Sequence, residues 1–486
     1  MADIVFSEET IQRIFGHEAA EDEEFERLRS YYFKSKTYDK IKADLPLRIL
    51  VGHKGIGKSA LFKVAMAEDR EDGRLPIFLR PNDLMGIQPT SSGFLDKIAR
   101  WKSGLQAVIA QKTLDEFGIA EEGAAAGAMS AAGKTLGFLK DTLRPYSESK
   151  LDLTPSQKML ITKFLKKASI TVYIDDLDRG WQGQREDILS LSALVNALRD
   201  LSSANPGLKF KLSLRSDVYF LLRTSDESTD KIEGSVVWFY WSNHEILALL
   251  VKRIETFFGR HVDEEKLLAM SQPELAKYLK PLMVSTFRGV GKWEDVPLYR
   301  VLMSLIRKRP RDLVKLCSLA ARHAYDNDRS MMMTEDFRAV FEEYSQGRVQ
   351  DTINEFKSEL PEIERLVLNM KPNRVERLAS LGYVYKTDEL LAKIGNLVVQ
   401  GRFKFATGKE ATPKDLAQFM FKINFLTARK RLASGELDRK YFEENRYLSG
   451  HFVDYGYDWE IHPAYRWALQ PDSLETIYNQ VELSEA

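Results

Sequence analysis

Eight residues constrain this chain more than any others: Gly52 to Ser59, GHKGIGKS. They follow Leu47, Ile49, Leu50 and Val51, an apolar run without alternation, which predicts a buried strand of a parallel sheet. They precede Leu61, Val64 and Ala65, spaced as in a helix that packs on that sheet. The pattern is G-x-x-x-x-G-K-[ST], and its chemistry needs these residue types. Glycines let the backbone curl until its N–H groups converge on phosphate oxygens, and the following helix turns its positive end toward the same point. The expected phosphate cradle is therefore Gly52, His53, Lys54, Gly55, Ile56, Gly57, Lys58, Ser59 and Ala60. Lys58 reaches the β- and γ-phosphates, and Ser59 is an expected Mg²⁺ ligand. The plainer alternative is a glycine-rich turn that happens to fit.

A second motif makes the pair informative. Ile170, Val172, Tyr173 and Ile174 predict another short strand, ending in Asp175, Asp176, Leu177, Asp178 and Arg179. In an open α/β sheet, ligands sit beyond the carboxyl ends of the strands, so these carboxylates face the phosphates. Asp175 is the expected Mg²⁺ partner, through water, and Asp176 the residue that orients or deprotonates the attacking water. A solvated acidic turn is the alternative. In GLKFKLSLRSDVYFLL, Phe210, Leu212 and Leu214 alternate with Lys211 and Ser213, and Arg215 stands at the strand's end. Arg215 is a candidate for the γ-phosphate or for transition-state charge, the alternative being a salt bridge to Asp217 or Asp178. With LPIFLRPNDL and SVVWFYW, five strands with intervening helices predict a three-layer α/β core with a parallel sheet.

Together these residues resemble the P-loop ATPases of the AAA+/STAND/KAP assemblage. IDDLDR, Ile174 to Arg179, looks especially like the KAP and related bacterial groups, and ILVGHKGIGKSAL, IDDLDRGW, LRSDVY and RPRDL together resemble a prokaryotic ATPase family over residues 45–315. The resemblance implies ATP and Mg²⁺ as ligands, Asp175 for the metal, Asp176 for water activation, Arg215 as a sensor arginine, and a helical lid that returns a further arginine to the nucleotide. Arg311 in RPRDL is the candidate for that lid arginine, with Arg309 second and a basic surface helix end as the alternative. KAP proteins often carry membrane helices between the two motifs. Here RWKSGLQAVIAQKTLDEFG and GAAAGAMSAAGK fill that interval, and neither is long and apolar enough to span a bilayer.

The expected division is an N-terminal helical segment over 1–45, the ATPase core over 46–242 with a helical insertion at 85–167, a helical lid over 243–345, and a connector with a winged-helix-like domain over 346–486. Within the insertion, the Ala/Gly run from Gly123 to Gly133 reads as a flexible tip or a segment ordered by a partner. In the last domain Thr412 caps a helix that opens with Pro413. Lys414, Lys422, Arg429, Lys430 and Arg431 make that segment locally basic, with Glu436, Asp438, Glu443 and Glu444 close behind. His462, before Pro463, is similar to the winged-helix histidine of STAND ATPases and would contact the β-phosphate of ADP. The alternative is a histidine bonded within its own domain.

Charge and cysteine usage set the setting. With 71 basic and 71 acidic residues the net charge is +0, which argues against a whole-surface nucleic-acid or membrane binder but leaves room for a local basic patch. Cys317 is the one cysteine, so a disulfide framework is excluded and a reducing cytoplasm fits. MADIVFSEETIQRIF lacks the layout of a signal peptide. The leading expectation is an ATP-driven switch that assembles with itself or with a protein partner or effector subunit, as bacterial relatives do in antiphage defence. A DNA loader or remodeller using the winged helix is the alternative, and a nucleotide-binding scaffold that barely hydrolyses is a third.

Overall fold

The computed structural model describes residues 4–17, 22–87, 93–117, 139–144, 169–225, 227–373, 375–376, 382–433, 437–446, 448, 456–470, 477–478 and 481–483. The Ala/Gly run and most of the expected insertion lie outside these residues; the helix Phe94–Glu116 is the part of the insertion that is described in full. The chain forms two compact units. One, the sheet unit, comprises Ser35–His53 and Lys58–Phe239; the other, the helical unit, comprises Met1–Lys34, Lys54–Gly57 and Tyr240–Ala486. The N-terminal segment is thus shared out. Its first 34 residues group with the later half of the chain, while the helix Lys36–Lys42 belongs with the sheet.

The sheet unit holds five parallel strands: β1 (Leu47–Val51), β2 (Leu75–Leu79), β3 (Ile170–Ile174), β4 (Leu208–Leu214) and β5 (Val236–Trp238), in the order β2-β3-β4-β1-β5. Every residue of β3 is buried, as its unbroken apolar run requires. Side chains alternate between the faces. Ile170, Val172 and Ile174 join a core with Leu194 and Leu198 of the helix Arg185–Ala204 and with Leu105 and Ile109 of the helix Phe94–Glu116. On the opposite face Tyr173 donates to Asp69 of the helix Lys58–Glu71 at 2.8 Å. Helices therefore cover both faces, the three layers expected. The alternation of Lys211 and Ser213 in β4 does not mark a solvated face, because both are buried. The Lys211 amine donates to the carbonyl of Ala43 at 2.8 Å, and burial pulls its pKa down to about 7.

In the helical unit, the helices Glu8–Phe15 and Phe25–Tyr31 pack on the helix Asn243–Phe257, which a Ser242–Glu245 capping box starts. A two-stranded hairpin follows, β6 (Thr286–Phe287) and β7 (Val296–Pro297), and then the paired helices Pro310–Asp326 and Thr334–Phe356. The second of these runs without a break through residue 345, where the lid was expected to end, since the sequence there offers no proline and only Gly347 to weaken it. Beyond it lies an antiparallel sheet, β8 (Val384–Tyr385), β9 (Leu426–Arg431), β10 (Leu437–Lys440) and β11 (Asp458–Ile461), in the order β10-β9-β11-β8. The helices Thr387–Gln400 and Pro413–Lys422 accompany it, the latter capped by Thr412, whose hydroxyl accepts from Asp415 N at 3.2 Å. Trp293, Phe341, Trp467 and Tyr478 form an aromatic cluster with centroids 5.1–6.1 Å apart.

Candidate nucleotide-binding site

The strand order places the chemistry. β4 lies between β1 and β3, so the carboxyl ends of three neighbouring strands present the glycine loop, Arg215 and the Asp175–Asp176 pair side by side. Gly52 N still donates to Leu214 O at 3.2 Å, after which the chain leaves the sheet. Gly55 and Gly57 take φ of +78° and +102°, left-handed values that a residue with a Cβ rarely adopts. The helix then starts at Lys58. The Lys58 ammonium donates to the carbonyls of Gly52 at 2.8 Å and His53 at 3.1 Å, folded back over the loop whose N–H groups it would complement.

Asp175 is buried, and its Oδ1 accepts from the N–H of Asp176 at 3.0 Å. Asp176 is exposed and has φ +60°, so its side chain leaves the backbone in a direction that an extended residue would not give. The two adjacent carboxylates thus differ in environment: one enclosed at the strand end, one open to water. A hard oxygen-seeking cation of the Mg²⁺ type uses one or two protein ligands and takes its other oxygens from phosphate and water. Ser59 at the helix start and Asp175 are the residues that would supply such protein ligands. No group of three or more His, Cys, Asp or Glu able to hold a metal occurs among the described residues.

Arg215 is held by carboxylates. Its guanidinium donates to Asp217 at 2.6 and 3.0 Å and meets Asp178 at 3.4 Å, so both salt bridges raised as alternatives are present. Next to it, Ser216 Oγ and His53 Nδ1 lie 2.9 Å apart, both side chains buried. The P-loop pattern gives His53 a backbone role alone, whereas its ring fastens the loop to the start of the helix Ser216–Ser225. This is the P-loop NTPase fold.

Within the helical unit, the tip of the P-loop, Lys54–Gly57, has partners of its own. Arg311 N donates to Gly55 O at 3.4 Å, and a Cβ on Gly55 would come within 3.2 Å of the Arg311 side chain. Trp241 Nε1 donates to Ile56 O at 2.9 Å. Arg309, the second candidate, is buried against Glu355 at 3.2 Å. Its neighbour Arg307, which sequence reasoning passed over, is fully enclosed with Asp312 at 2.7 and 2.8 Å, and Arg348 meets the same carboxylate at 2.7 Å. Burial alone would raise the Asp312 pKa, but these guanidiniums hold it well below the usual carboxylate range.

His462, the expected contact to the β-phosphate of ADP, sits inside its own domain. It is 1% exposed, its Nδ1 accepts from Ala464 N at 3.1 Å, and its Nε2 lies 3.0 Å from the Tyr441 hydroxyl. Burial first, then Arg439 and Arg307, pull its pKa down to about 3, so the ring is neutral with both nitrogens engaged inside its own domain. This is the arrangement of the alternative raised above, a histidine bonded within its own domain. The basic cluster is also partly spent. Lys422 pairs with Glu359, and Arg429 pairs with Glu482 at 2.6 Å.

Residues 283–353 match the FunZ-associated C-terminal helical domain. The chain is 20% identical over 531 aligned positions to the putative transposon gamma-delta 80.3 kDa protein of Escherichia coli K12, covering 97% of this chain and 70% of that protein. Among solved structures, the ORC2 protein of Aeropyrum pernix, in ADPNP and ADP complexes, matches with a TM-score of 0.39 and 12% identity over 94% of this chain and 92% of that one. The Thermotoga maritima RuvB Holliday junction branch migration motor matches with a TM-score of 0.32 and 11% identity over 87% and 98%. The assignment to the P-loop NTPases rests on the loop and the strand order rather than on these distant likenesses. No helix among the described residues is long and apolar enough to cross a membrane.

Proposed function

We propose that this P-loop NTPase binds ATP with Mg²⁺ and hydrolyses it to ADP and phosphate, using the cycle as a molecular switch. The observation that carries the reading is the adjacency, on three neighbouring strand ends, of the P-loop, Arg215 and an enclosed and an open aspartate. The loop amides from Gly52 to Ala60 bind the phosphates, and Lys58 exchanges the carbonyls of Gly52 and His53 for phosphate oxygens. Ser59 and Asp175 hold the metal, which neutralises charge on the phosphates. Asp176, open to water, orients the attacking molecule and takes its proton. Arg215 serves as the γ-phosphate sensor by trading Asp178, its longer contact, for the phosphate, while Asp217 keeps the guanidinium in place. Arg311 is the lid arginine.

The finer placement among STAND- and KAP-like ATPases rests on IDDLDR and RPRDL. The C-terminal sheet with its capped helix Pro413–Lys422 is read as a winged-helix-like domain that packs and relays, because Lys422 and Arg429 are used inside the protein. In this reading the protein is cytoplasmic, assembles with itself or with an effector subunit, and serves a bacterial conflict such as antiphage defence. The likeness to a transposon protein supports a setting among mobile elements. The deciding experiment measures phosphate release and nucleotide affinity for the wild type, Lys58→Ala and Asp176→Asn, with mass measured with and without ATP. Turnover at background with tight nucleotide binding would move the reading to a scaffold, and one unchanging mass would remove self-assembly.

A further inference from the structure

Ile306 to Arg309 connect the helix Leu298–Leu305 to the helix Pro310–Asp326, which begins with the arginine at the P-loop tip. Arg309 precedes a proline, which confines it to extended backbone, and it takes φ −118° and ψ 122°. Ile306 is extended as well, at φ −96° and ψ 143°. Lys308, between them, takes φ +52°. The other non-glycine residues with positive φ among those described are Asp176, Asp295, Asp328 and Asn424. Asp and Asn visit that backbone because a short polar side chain can bond locally, and a lysine has no such means. Lys308 is therefore the exception, and it stands three positions before Arg311.

A residue in this conformation persists where its surroundings over-determine it. Its two neighbours are fastened to the helices. Arg307 donates to Thr352 at 3.0 Å and to the Tyr465 hydroxyl at 3.1 Å besides its pair with Asp312, and Arg309 donates to Glu355. The fastening of Arg309 is incomplete. The residue is 3% exposed, and its Nε and Nη2 meet no acceptor among the described residues. Enclosed N–H groups without an acceptor raise the energy of the turn as it stands. The side chain of Lys308 runs to the C-terminal sheet instead. Its ammonium donates to Glu444 at 2.7 Å and lies 4.6 Å from the centroid of the Tyr441 ring. Both partners follow directly on β10, and the Tyr441 hydroxyl is in turn 3.0 Å from His462 Nε2.

Resting on the reading of Arg311 as the lid arginine, we infer that Lys308 is its positioning residue. Glu444 and Tyr441 hold the Lys308 ammonium, that grip keeps the turn left-handed, and the turn sets Arg311 against Gly55 of the P-loop. The turn carries both a disfavoured backbone and unfilled N–H groups, so it has an easier conformation to move to once the grip is lost. Arg311 then leaves its register with the loop. Lys308 acts through Arg311 alone, and Glu444 is the point at which the C-terminal sheet acts on the nucleotide site.

Steady-state phosphate release by the full chain, with kcat and KM for ATP, and the affinity for a fluorescent ATP analogue test this. Lys308→Ala keeps the backbone penalty and loses the grip, so its kcat/KM should fall about tenfold. Lys308→Gly loses the grip too, but takes left-handed backbone freely and should stay within about threefold of wild type. Arg311→Ala should fall at least as far as Lys308→Ala, with the same split between kcat and KM. In the Arg311→Ala background, Lys308→Ala should change kcat/KM by less than about twofold, because nothing remains for it to position. Glu444→Lys, at an exposed position, repels the ammonium and should lower kcat/KM about threefold; it carries the test if Lys308→Ala does not fold. Wild-type kcat/KM in folded Lys308→Ala or in Glu444→Lys overturns the inference. So does a glycine variant no better than the alanine one, or a further tenfold loss in the Arg311→Ala background. A wild-type protein that neither binds nor hydrolyses ATP removes the nucleotide reading itself. An Arg311→Ala effect with none from Lys308→Ala removes the positioning role and leaves the lid arginine standing, whereas Arg311→Ala with wild-type kcat/KM removes both.

Discussion

At the scale of single residues, the site makes different demands on neighbouring positions. In the proposed site Lys58→Ala removes the cation assigned to the β- and γ-phosphates. Loss of such a charge-assisted bond should weaken ATP about 10- to 100-fold, measured by titration calorimetry, and an unchanged affinity would reject the site. Asp176 is best probed with asparagine, which tolerates the left-handed backbone of this position as few residues do. Asp176→Asn should keep ATP affinity while phosphate release falls about 10²-fold; wild-type turnover would shift the role to Asp175 or Asp178. Arg215→Ala should cost stability as well as turnover, because the buried Asp217 loses the guanidinium that it meets at 2.6 Å. Unfolding by denaturant should show a loss of about 3–5 kcal/mol, and a stable variant with normal ADP affinity would instead mark Arg215 as acting on the γ-phosphate alone.

At the scale of elements, what was legible and what was not divide along a physical line. The P-loop and the strand leading into Asp175 were readable because local chemistry dictates them: a backbone that must curl needs glycine, and a strand buried on both faces must be apolar. The helix at Pro413 was readable for the same reason, since Thr412 and Asp415 cap it within four residues. The burial of Lys211 was not legible because a period-two pattern reports which face a side chain points to and not whether that face is wet. The charges of Arg307, Arg309 and His462 were opaque because their partners are Asp312, Glu355 and Tyr441, and only the fold brings such partners together. The start of the helix Pro310–Asp326 now rests on that burial. Asp312→Ala would leave Arg307 enclosed without the carboxylate it meets at 2.7 and 2.8 Å, and Arg348 with Asp351 alone, and should destabilise the helical unit by about 3–5 kcal/mol, whereas Asp312→Asn, which keeps an acceptor, should cost less. Equal stability of the alanine variant and the wild type would show that the network contributes nothing.

At the scale of the whole molecule, acid should unfold the helical unit earlier than its carboxylates alone would require. His462 is neutral when folded, with its pKa pulled from 6.5 to about 3, so below pH 6.5 the unfolded chain binds a proton that the folded one does not. Stability from this residue therefore falls as pH drops from 6.5 toward 3, whereas Asp312, also held low, contributes its loss only below about 4. Melting of wild type and His462→Gln at pH 7.5, 6 and 5 should show a shallower decline between 6.5 and 5 in the variant, whatever its absolute stability. Parallel declines would exclude His462 as the cause.

The sheet order has a consequence for how the chain is made. β1 emerges from the ribosome early, but its two neighbours, β4 and β5, begin at residues 208 and 236. At about 5–20 residues per second, roughly eight to thirty seconds pass before the strand that carries the P-loop has either edge paired. During that interval an apolar segment with two open edges is exposed, the condition that invites aggregation. Residues 1–34 wait longer, because the helices they pack on begin at Asn243. A translation product cut short before residue 208 has the whole nucleotide-binding motif in its sequence and cannot assemble it, so such fragments are work for a chaperone or a protease.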